Sequence, residues 1–161
     1  MDFTPIARYL FAPRVKASLQ WIQNAEAVQR AQLSWLVNSA RNTLWGEQHN
    51  YGNITSYEEF ASRVPITPYE NIRSLVERMI DGERDILWKG RVTHFAQSSG
   101  TSDGKSKYIP ITADSFKRCH YQGGTDVVAH YLNLYPASRM FSGKGFTLGG
   151  CYANELTLKI G

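Results

Sequence analysis

The feature that most constrains this chain is a run of nine residues, 98–106, in which no side chain is apolar. Residues 91–97 before it alternate in the manner of a strand, and residues 107–111 after it form a second strand-like segment. Gly100 and Gly104 permit positive φ angles and close approach of the backbone to a ligand. Successive N–H groups can then turn toward an anion, so the pattern predicts a phosphate-binding loop between two strands.

The loop also allows two other interpretations. Serine, glycine and aspartate are the residues that any solvated turn prefers, and composition alone favours such a turn. A nucleotide-binding P-loop of pattern G-x-x-x-x-G-K-[ST] requires four residues between its glycines and a helix after it. Here three residues separate Gly100 from Gly104 and a strand pattern follows, which disfavours a P-loop NTPase. The phosphate loop and the solvated turn both stay open at this point.

Helical patterns dominate the chain before the loop. Ser56 and Thr67 each stand three residues before a glutamate, which predicts two capped helix starts, the second with Pro68 at its first position. Apolar spacing predicts a helix over 69–80 that ends at Gly82. The predicted helices cover about 13–22, 26–44, 57 onward, 69–80 and 112–135, and a last strand is predicted over 144–150.

Together these patterns predict an α/β fold class. A helical N-terminal half is followed by a strand–phosphate-loop–strand hairpin, with the loop over 98–107, and then by a further helix and strand. We expect one domain or domain fragment over 1–161, mainly helical over 1–85 and mixed α/β over 86–161. A length of 161 residues is sufficient for a core but too short for chemistry that needs two domains.

Composition narrows the partners and the compartment. Eighteen Lys and Arg against 14 Asp and Glu give a net charge of +4, which suits an anionic ligand, but the basic residues are scattered and do not predict nucleic-acid binding. No window approaches the roughly 18 apolar residues of a membrane span, and no secretory signal begins the chain, so we expect a cytoplasmic protein without membrane association. The two cysteines, Cys119 and Cys151, are too few and too far apart for a disulfide scaffold, so we expect reduced thiols. Neither has zinc-site spacing, so we expect no metal site.

Few other side chains suggest chemistry. His94 shares a predicted strand face with Val92 and Ala96, which favours a core or interface histidine with satisfied hydrogen bonds over a catalytic base. The four tryptophans follow helical or short-strand spacing, which favours packing over a base-stacking surface. No catalytic triad follows from the pattern, so no catalytic residue is assigned.

The order of residues 97–112 resembles a known motif. The segment reads Q-S-S-G-T-S-D-G-K-S-K-Y-I-P-I-T, which is similar to Ser/Thr-Ser-Gly-Thr-Ser/Thr-x-Gly-x-x-Lys, the first ATP-binding motif of adenylate-forming enzymes. Residues 51–88 upstream and 143–150 downstream resemble, in order and spacing, the N-terminal region of the auxin-responsive acyl-acid amido synthetase family. The resemblance covers most of the chain, from roughly residue 30 to residue 150.

This resemblance implies an ATP-dependent ligase. In that family magnesium-ATP and a small carboxylic acid give an acyl-adenylate and pyrophosphate, and an amine or amino acid then displaces AMP to form an amide. The resemblance places the β- and γ-phosphates of ATP on the loop, at Ser98, Ser99, Gly100, Thr101, Ser102, Gly104 and Lys107.

The other parts of such an active site would follow residue 161. We therefore expect an incomplete N-terminal part of the adenylate-forming enzyme fold, inactive by itself. The alternative is a non-catalytic interaction or structural domain that retains the start of the fold. In that case exposed strand edges would favour self-association.

Overall fold

The computed structural model describes residues 1–98 and 107–145, which are mostly helical and form one two-stranded antiparallel hairpin. The helices are α1 Thr4–Ser18, α2 Gln20–Ala40, α3 Leu44–Gln48, α4 Tyr57–Arg63, α5 Tyr69–Ile80, α6 Ala113–Ser115 and α7 Gln122–Leu134, with a 3-10 turn at Tyr51–Asn53 and a π-helical stretch at Phe116–Tyr121. The strands are β1 His94–Gln97 and β2 Tyr108–Ile111. The predicted helical first half and the predicted hairpin are therefore confirmed.

The chain divides into two compact units. Of the described residues, one unit holds 1–25 and 114–145, and the other holds 26–98 and 107–113. The single domain expected over 1–161 includes residues outside the described part and stays a prediction. No helix among residues 1–98 and 107–145 combines the length and the apolar composition that crossing a bilayer requires.

In the first unit, α1 packs against α7. The guanidinium of Arg14 donates two hydrogen bonds to the carboxylate of Asp126, at 2.8 and 3.0 Å, and Ser18 Oγ lies 2.6 Å from His130 Nε2. Leu132 of α7 is fully buried in this unit. An apolar contact and a bidentate ion pair thus hold the two helices together.

The first helix begins earlier than its sequence pattern indicates. The helix predicted over 13–22 is wrong in its bounds, because α1 begins at Thr4 and ends at Ser18, although residues 13–18 are helical as predicted. Phe3, the residue before the helix, makes no side-chain capping bond, but the carboxylate of Asp2 accepts the N–H of Thr4 at 2.9 Å and Pro5 lies in the first turn. The next helix, α2, begins at Gln20 and is interrupted by non-helical dihedral angles at Asn24.

The core of the second unit consists of two apolar clusters. Buried residues of α2 and the 3-10 turn form one cluster, and residues from the end of α5 to the approach of β1 form the other. Trp35 and Trp88 contact each other with ring centroids 5.6 Å apart, as expected for packing tryptophans. The buried members are Val37, Ala40, Tyr51 and Ile54 in the first cluster, and Met79, Ile86 and Val92 in the second.

The start of α4 follows the capping prediction in part. Ser56 Oγ accepts the N–H of Glu59 at 3.2 Å, as predicted for an N-cap serine. The Glu59 carboxylate accepts the backbone N–H of Thr55 at 2.7 Å and its hydroxyl at 2.9 Å. These bonds, the backbone one first, hold the pKa of Glu59 below its usual value.

For the helix predicted over 69–80, the predicted N-cap is wrong and the predicted C-terminal stop is right. The helix α5 begins at Tyr69, with Pro68 in the position before it, and the hydroxyl of Thr67 donates to the carbonyl of Pro65 instead of capping. At the other end Gly82 has φ +93°, and its N–H donates to Met79 O at 3.1 Å. The N–H of the next residue, Glu83, donates to Arg78 O at 3.0 Å. These two bonds form a Schellman motif, which confirms the predicted glycine stop.

The hairpin pairs β1 with β2 in antiparallel register, with Phe95 opposite Pro110 and Gln97 opposite Tyr108. The interpretation of His94 as a core histidine is wrong, because the residue is exposed and its Nδ1 lies 3.0 Å from Thr93 Oγ1, while the interface alternative stays a prediction. Phe95 lies on the opposite face of β1 from His94. It is half-buried because it packs against the second apolar cluster.

Helical structure follows the hairpin, as predicted for 112–135. Three stretches run consecutively from Ala113 to Leu134, with the π-helical stretch in the middle and Gly123 and Gly124 inside α7. The strand predicted over 144–150 falls mostly on residues outside the described part. Within the described residues, β1 and β2 are therefore the only strands that support the predicted mixed α/β second half.

Candidate functional site

The two strands of the hairpin bring Ser98 and Lys107 together. Ser98 N–H donates to Lys107 O at 2.9 Å, and Lys107 N–H donates to Ser98 Oγ at 3.3 Å. These residues are the first and last of the seven that the sequence motif assigns to phosphate binding. Ser99, Gly100, Thr101, Ser102 and Gly104 lie outside the described residues.

The side chain of Lys107 lies beside the first turn of α5. Its Nζ is 3.8 Å from Glu70 Oε1 and 5.6 Å from the centroid of the Tyr69 ring. The side chain is 30 % exposed, so the ammonium is accessible while two groups of α5 limit its position. An ion pair this long at the surface stabilises little by itself.

Glu70 is shared between two cations. Arg73, one turn further along α5, donates from Nε at 3.0 Å and from Nη2 at 2.8 Å to Glu70 Oε2. This hydrogen bond is the main cause that raises the pKa of Arg73 above its usual value. One carboxylate thus faces two positive charges, and Glu77 also acts electrostatically on Arg73.

The hydroxyl of Tyr69 makes two hydrogen bonds to one residue of β2. It accepts the N–H of Tyr108 at 2.9 Å and donates to the carbonyl of Tyr108 at 3.2 Å. The guanidinium carbon of Arg73 lies 5.1 Å from the centroid of the Tyr69 ring. Tyr69 therefore contacts the backbone beside Lys107, the Lys107 ammonium and the Arg73 guanidinium.

The sequence interpretation missed Tyr69, Glu70 and Arg73. The segment that contains Tyr69 and Glu70 was interpreted as a helix start and as part of the family resemblance, and neither residue was assigned to the site. A helical i, i+3 spacing of Glu70 and Arg73 is a signal for their ion pair. No comparable signal exists for the contacts with β2, because 39 residues separate Tyr69 from Tyr108.

The fold is similar to part of solved acyl acid amido synthetase structures. The chain matches a structure titled GH3.15 acyl acid amido synthetase with a TM-score of 0.62 and 22 % sequence identity, over 74 % of this chain and 22 % of that one. A structure titled AtGH3.15 acyl acid amido synthetase in complex with 2,4-DB gives the same TM-score at 24 % identity. At this identity the likeness establishes the fold of a fragment.

Sequence comparison establishes the family. The model described as GH3 family N-terminal domain matches residues 14–158, so the chain belongs to the GH3 family. This finding confirms the family resemblance drawn from residues 97–112.

Individual relatives match at lower coverage. Indole-3-acetic acid-amido synthetase GH3.4 of Arabidopsis thaliana is 28 % identical over 114 residues, which is 70 % of this chain and 19 % of that protein. Probable indole-3-acetic acid-amido synthetase GH3.2 of Oryza sativa subsp. japonica is 33 % identical over 94 residues, which is 58 % of this chain and 15 % of that protein. The chain thus spans less than a fifth of the length of these curated relatives.

Proposed function

We propose that this chain is the N-terminal, phosphate-binding part of an ATP-dependent acyl-acid amido synthetase. The observation that carries the proposal is the ordered motif of residues 98–107, which lies inside the region matched by the family model and ends at Lys107. The accessible ammonium of Lys107 supports the same conclusion, because ATP presents its phosphates as anions. We also propose that the hairpin begins the α/β fold of adenylate-forming enzymes.

The residues of the site fit a phosphate group. The ammonium of Lys107 supplies positive charge and donors, and the hydroxyl of Ser98 supplies a further donor at the other end of the loop. Within the described residues no group of three or more His, Cys, Asp or Glu side chains could hold a metal ion. Magnesium binds phosphate oxygens in nucleotide complexes, where it would neutralise part of their charge.

In the proposed reaction, a carboxylate oxygen of the acid attacks the α-phosphorus of ATP and pyrophosphate leaves. An amine then attacks the acyl carbon and AMP leaves, which forms the amide. The contribution of Lys107 and the loop is to orient the β- and γ-phosphates and to stabilise charge on the leaving pyrophosphate. We propose that the chain alone does not complete this reaction, because it spans less than a fifth of its curated relatives.

The test is a titration of the isotope-labelled chain with magnesium-ATP, followed by amide chemical shifts. Shifts are expected at Ser98, Lys107 and Tyr108, and Lys107→Ala is expected to weaken binding about tenfold because a charge-assisted contact is lost. Lys117→Ala removes the same charge from an exposed position in the other unit and serves as the control. Absence of shifts at millimolar nucleotide, or equal affinity of the two variants, contradicts phosphate binding at this site.

A second measurement addresses catalysis. ATP–pyrophosphate exchange driven by a panel of carboxylic acids is expected to be absent with this chain alone. Exchange that requires a carboxylate and disappears in Ser99→Ala or Lys107→Ala would show that the chain is a complete enzyme for the first step, contrary to the proposal.

A non-catalytic interaction domain is the second candidate function. It is supported by apolar side chains of α1 that are more than half exposed, namely Ile6, Tyr9 and Leu10, and by Val127 and Leu134 of α7. The proposed partner is a second copy of this chain, because such faces favour self-association. Light scattering over a concentration series is expected to show dimers or larger species, and a monomer throughout contradicts this candidate.

A further inference from the structure

The backbone of Tyr108 has its hydrogen-bonding groups on the outer side of the hairpin. Ser98 and Lys107 form a hydrogen-bonded pair, so the next pair, Gln97 and Tyr108, is a non-hydrogen-bonded pair whose N–H and C=O groups point away from the partner strand. Two residues further on, Pro110 has no N–H to offer at this edge. The edge of β2 beside the loop therefore depends on Tyr108 for its backbone contacts.

Tyr69 satisfies both groups of Tyr108 with one hydroxyl. The N–H of Tyr108 lies 2.9 Å from Tyr69 Oη and the carbonyl oxygen lies 3.2 Å from it. On the inner side, the carbonyl of Lys107 is bonded to Ser98 N–H. The backbone at Lys107 and Tyr108 is thus fixed from both sides, by β1 and by the first residue of α5.

The same tyrosine also limits where the Lys107 side chain can go. The ammonium lies 5.6 Å from the ring centroid, within the range of a cation–π contact. On its other side Glu70, which is held by Arg73, approaches the ammonium at 3.8 Å. One residue of α5 therefore contacts both the main chain and the charged end of the lysine segment.

We propose that Tyr69 is a positioning residue for Lys107. Its hydroxyl fixes the backbone where the loop rejoins the sheet, and its ring orients the ammonium toward an anionic phosphate group. The phosphate part of this inference rests on the proposed function of Lys107. Its structural part, the fixing of Tyr108 by the hydroxyl, is independent of any nucleotide.

The structural part is tested by amide hydrogen exchange in Tyr69→Phe, which removes the hydroxyl and keeps the ring. The Tyr108 amide is expected to exchange about tenfold faster, while amides of the α5 interior keep their rates. Tyr57→Phe is the matched control, since Tyr57 is 69 % exposed on another helix. An unchanged rate at Tyr108 overturns the proposal, as does an equal acceleration across all of α5, which would indicate general loosening.

The positioning part is tested by a double-mutant cycle with magnesium pyrophosphate as the probe. Tyr69→Leu, which removes the ring as well as the hydroxyl, is expected to weaken binding about fivefold when Lys107 is present and to have no effect in Lys107→Ala. A structural effect unrelated to the lysine would weaken both backgrounds equally, and that result overturns the proposal. If the unchanged chain binds no pyrophosphate, the proposed function fails together with the phosphate part, while the exchange rates still decide the structural part.

Discussion

Replacement of Gly46 by alanine is expected to destabilise the second unit strongly. A Cβ at this position would lie 2.0 Å from the carbonyl oxygen of Ala40 and 2.9 Å from its carbonyl carbon. That oxygen accepts the backbone N–H of Thr43 at 3.0 Å and its hydroxyl at 2.7 Å, so it cannot move without loss of both bonds. Neither contact involves a flexible side chain, and α3 follows directly after Thr43.

The magnitude follows from these contacts. Two hydrogen bonds are worth about 1 kcal/mol each, and forced overpacking costs about 1–3 kcal/mol. The higher helix propensity of alanine offsets about 1 kcal/mol of this destabilisation. The expected loss in the free energy of unfolding is therefore about 2–4 kcal/mol for Gly46→Ala.

Urea unfolding followed by tryptophan fluorescence measures this loss, since Trp45 is the residue before Gly46. Gly52→Ala is the matched control, because nothing lies within 4 Å of the Cβ it would add. The control is expected to change stability by less than about 0.5 kcal/mol. If Gly46→Ala unfolds at the same urea concentration as Gly52→Ala, the close approach of Ala40 to Gly46 is refuted.

Two further predictions concern the start of α4. Ser56→Ala is expected to lower the free energy of unfolding by about 1 kcal/mol through loss of the N-cap bond, and an unchanged urea midpoint contradicts this. The lowered pKa of Glu59 means that its carboxylate stabilises the folded chain at neutral pH, and that this contribution disappears as the pH falls below 4.5, the usual value. Thermal unfolding between pH 7 and pH 3 is therefore expected to show a shallower acid loss in Glu59→Gln, and equal slopes for both proteins refute the contribution.

Local signals predicted those parts of the fold whose causes are local. The cap at Ser56 and the stop at Gly82 each depend on residues within one helical turn, so the sequence predicted both. The start of α1 at Thr4 was not predicted, although the carboxylate of Asp2, which accepts the Thr4 N–H, and Pro5 in the first turn are local signals of a helix start. The interruption at Asn24 has no glycine or proline to mark it, so the prediction placed a helix boundary nearby without the reason.

The candidate site divides in the same way. The order of residues around the loop predicted that Ser98 and Lys107 belong together, and the hairpin places them in hydrogen-bonding contact. The contact between Tyr69 and Tyr108 depends on how α5 packs beside β2, which no pattern within either segment encodes. Long-range contacts of this kind require the fold to be known first.

The local balance of charge is more informative about the site than the net charge. A chain of net charge +4 has only a small excess of basic residues, and Arg14 and Arg78 each pair with a carboxylate of their own. At Glu70 two cations share one carboxylate, and Arg73 has the shorter contact, in which two of its nitrogens donate to one oxygen. Lys107 therefore has only the longer contact with Glu70, at 3.8 Å. The proposed role of Lys107 in phosphate binding depends on this local arrangement, which the overall charge does not single out.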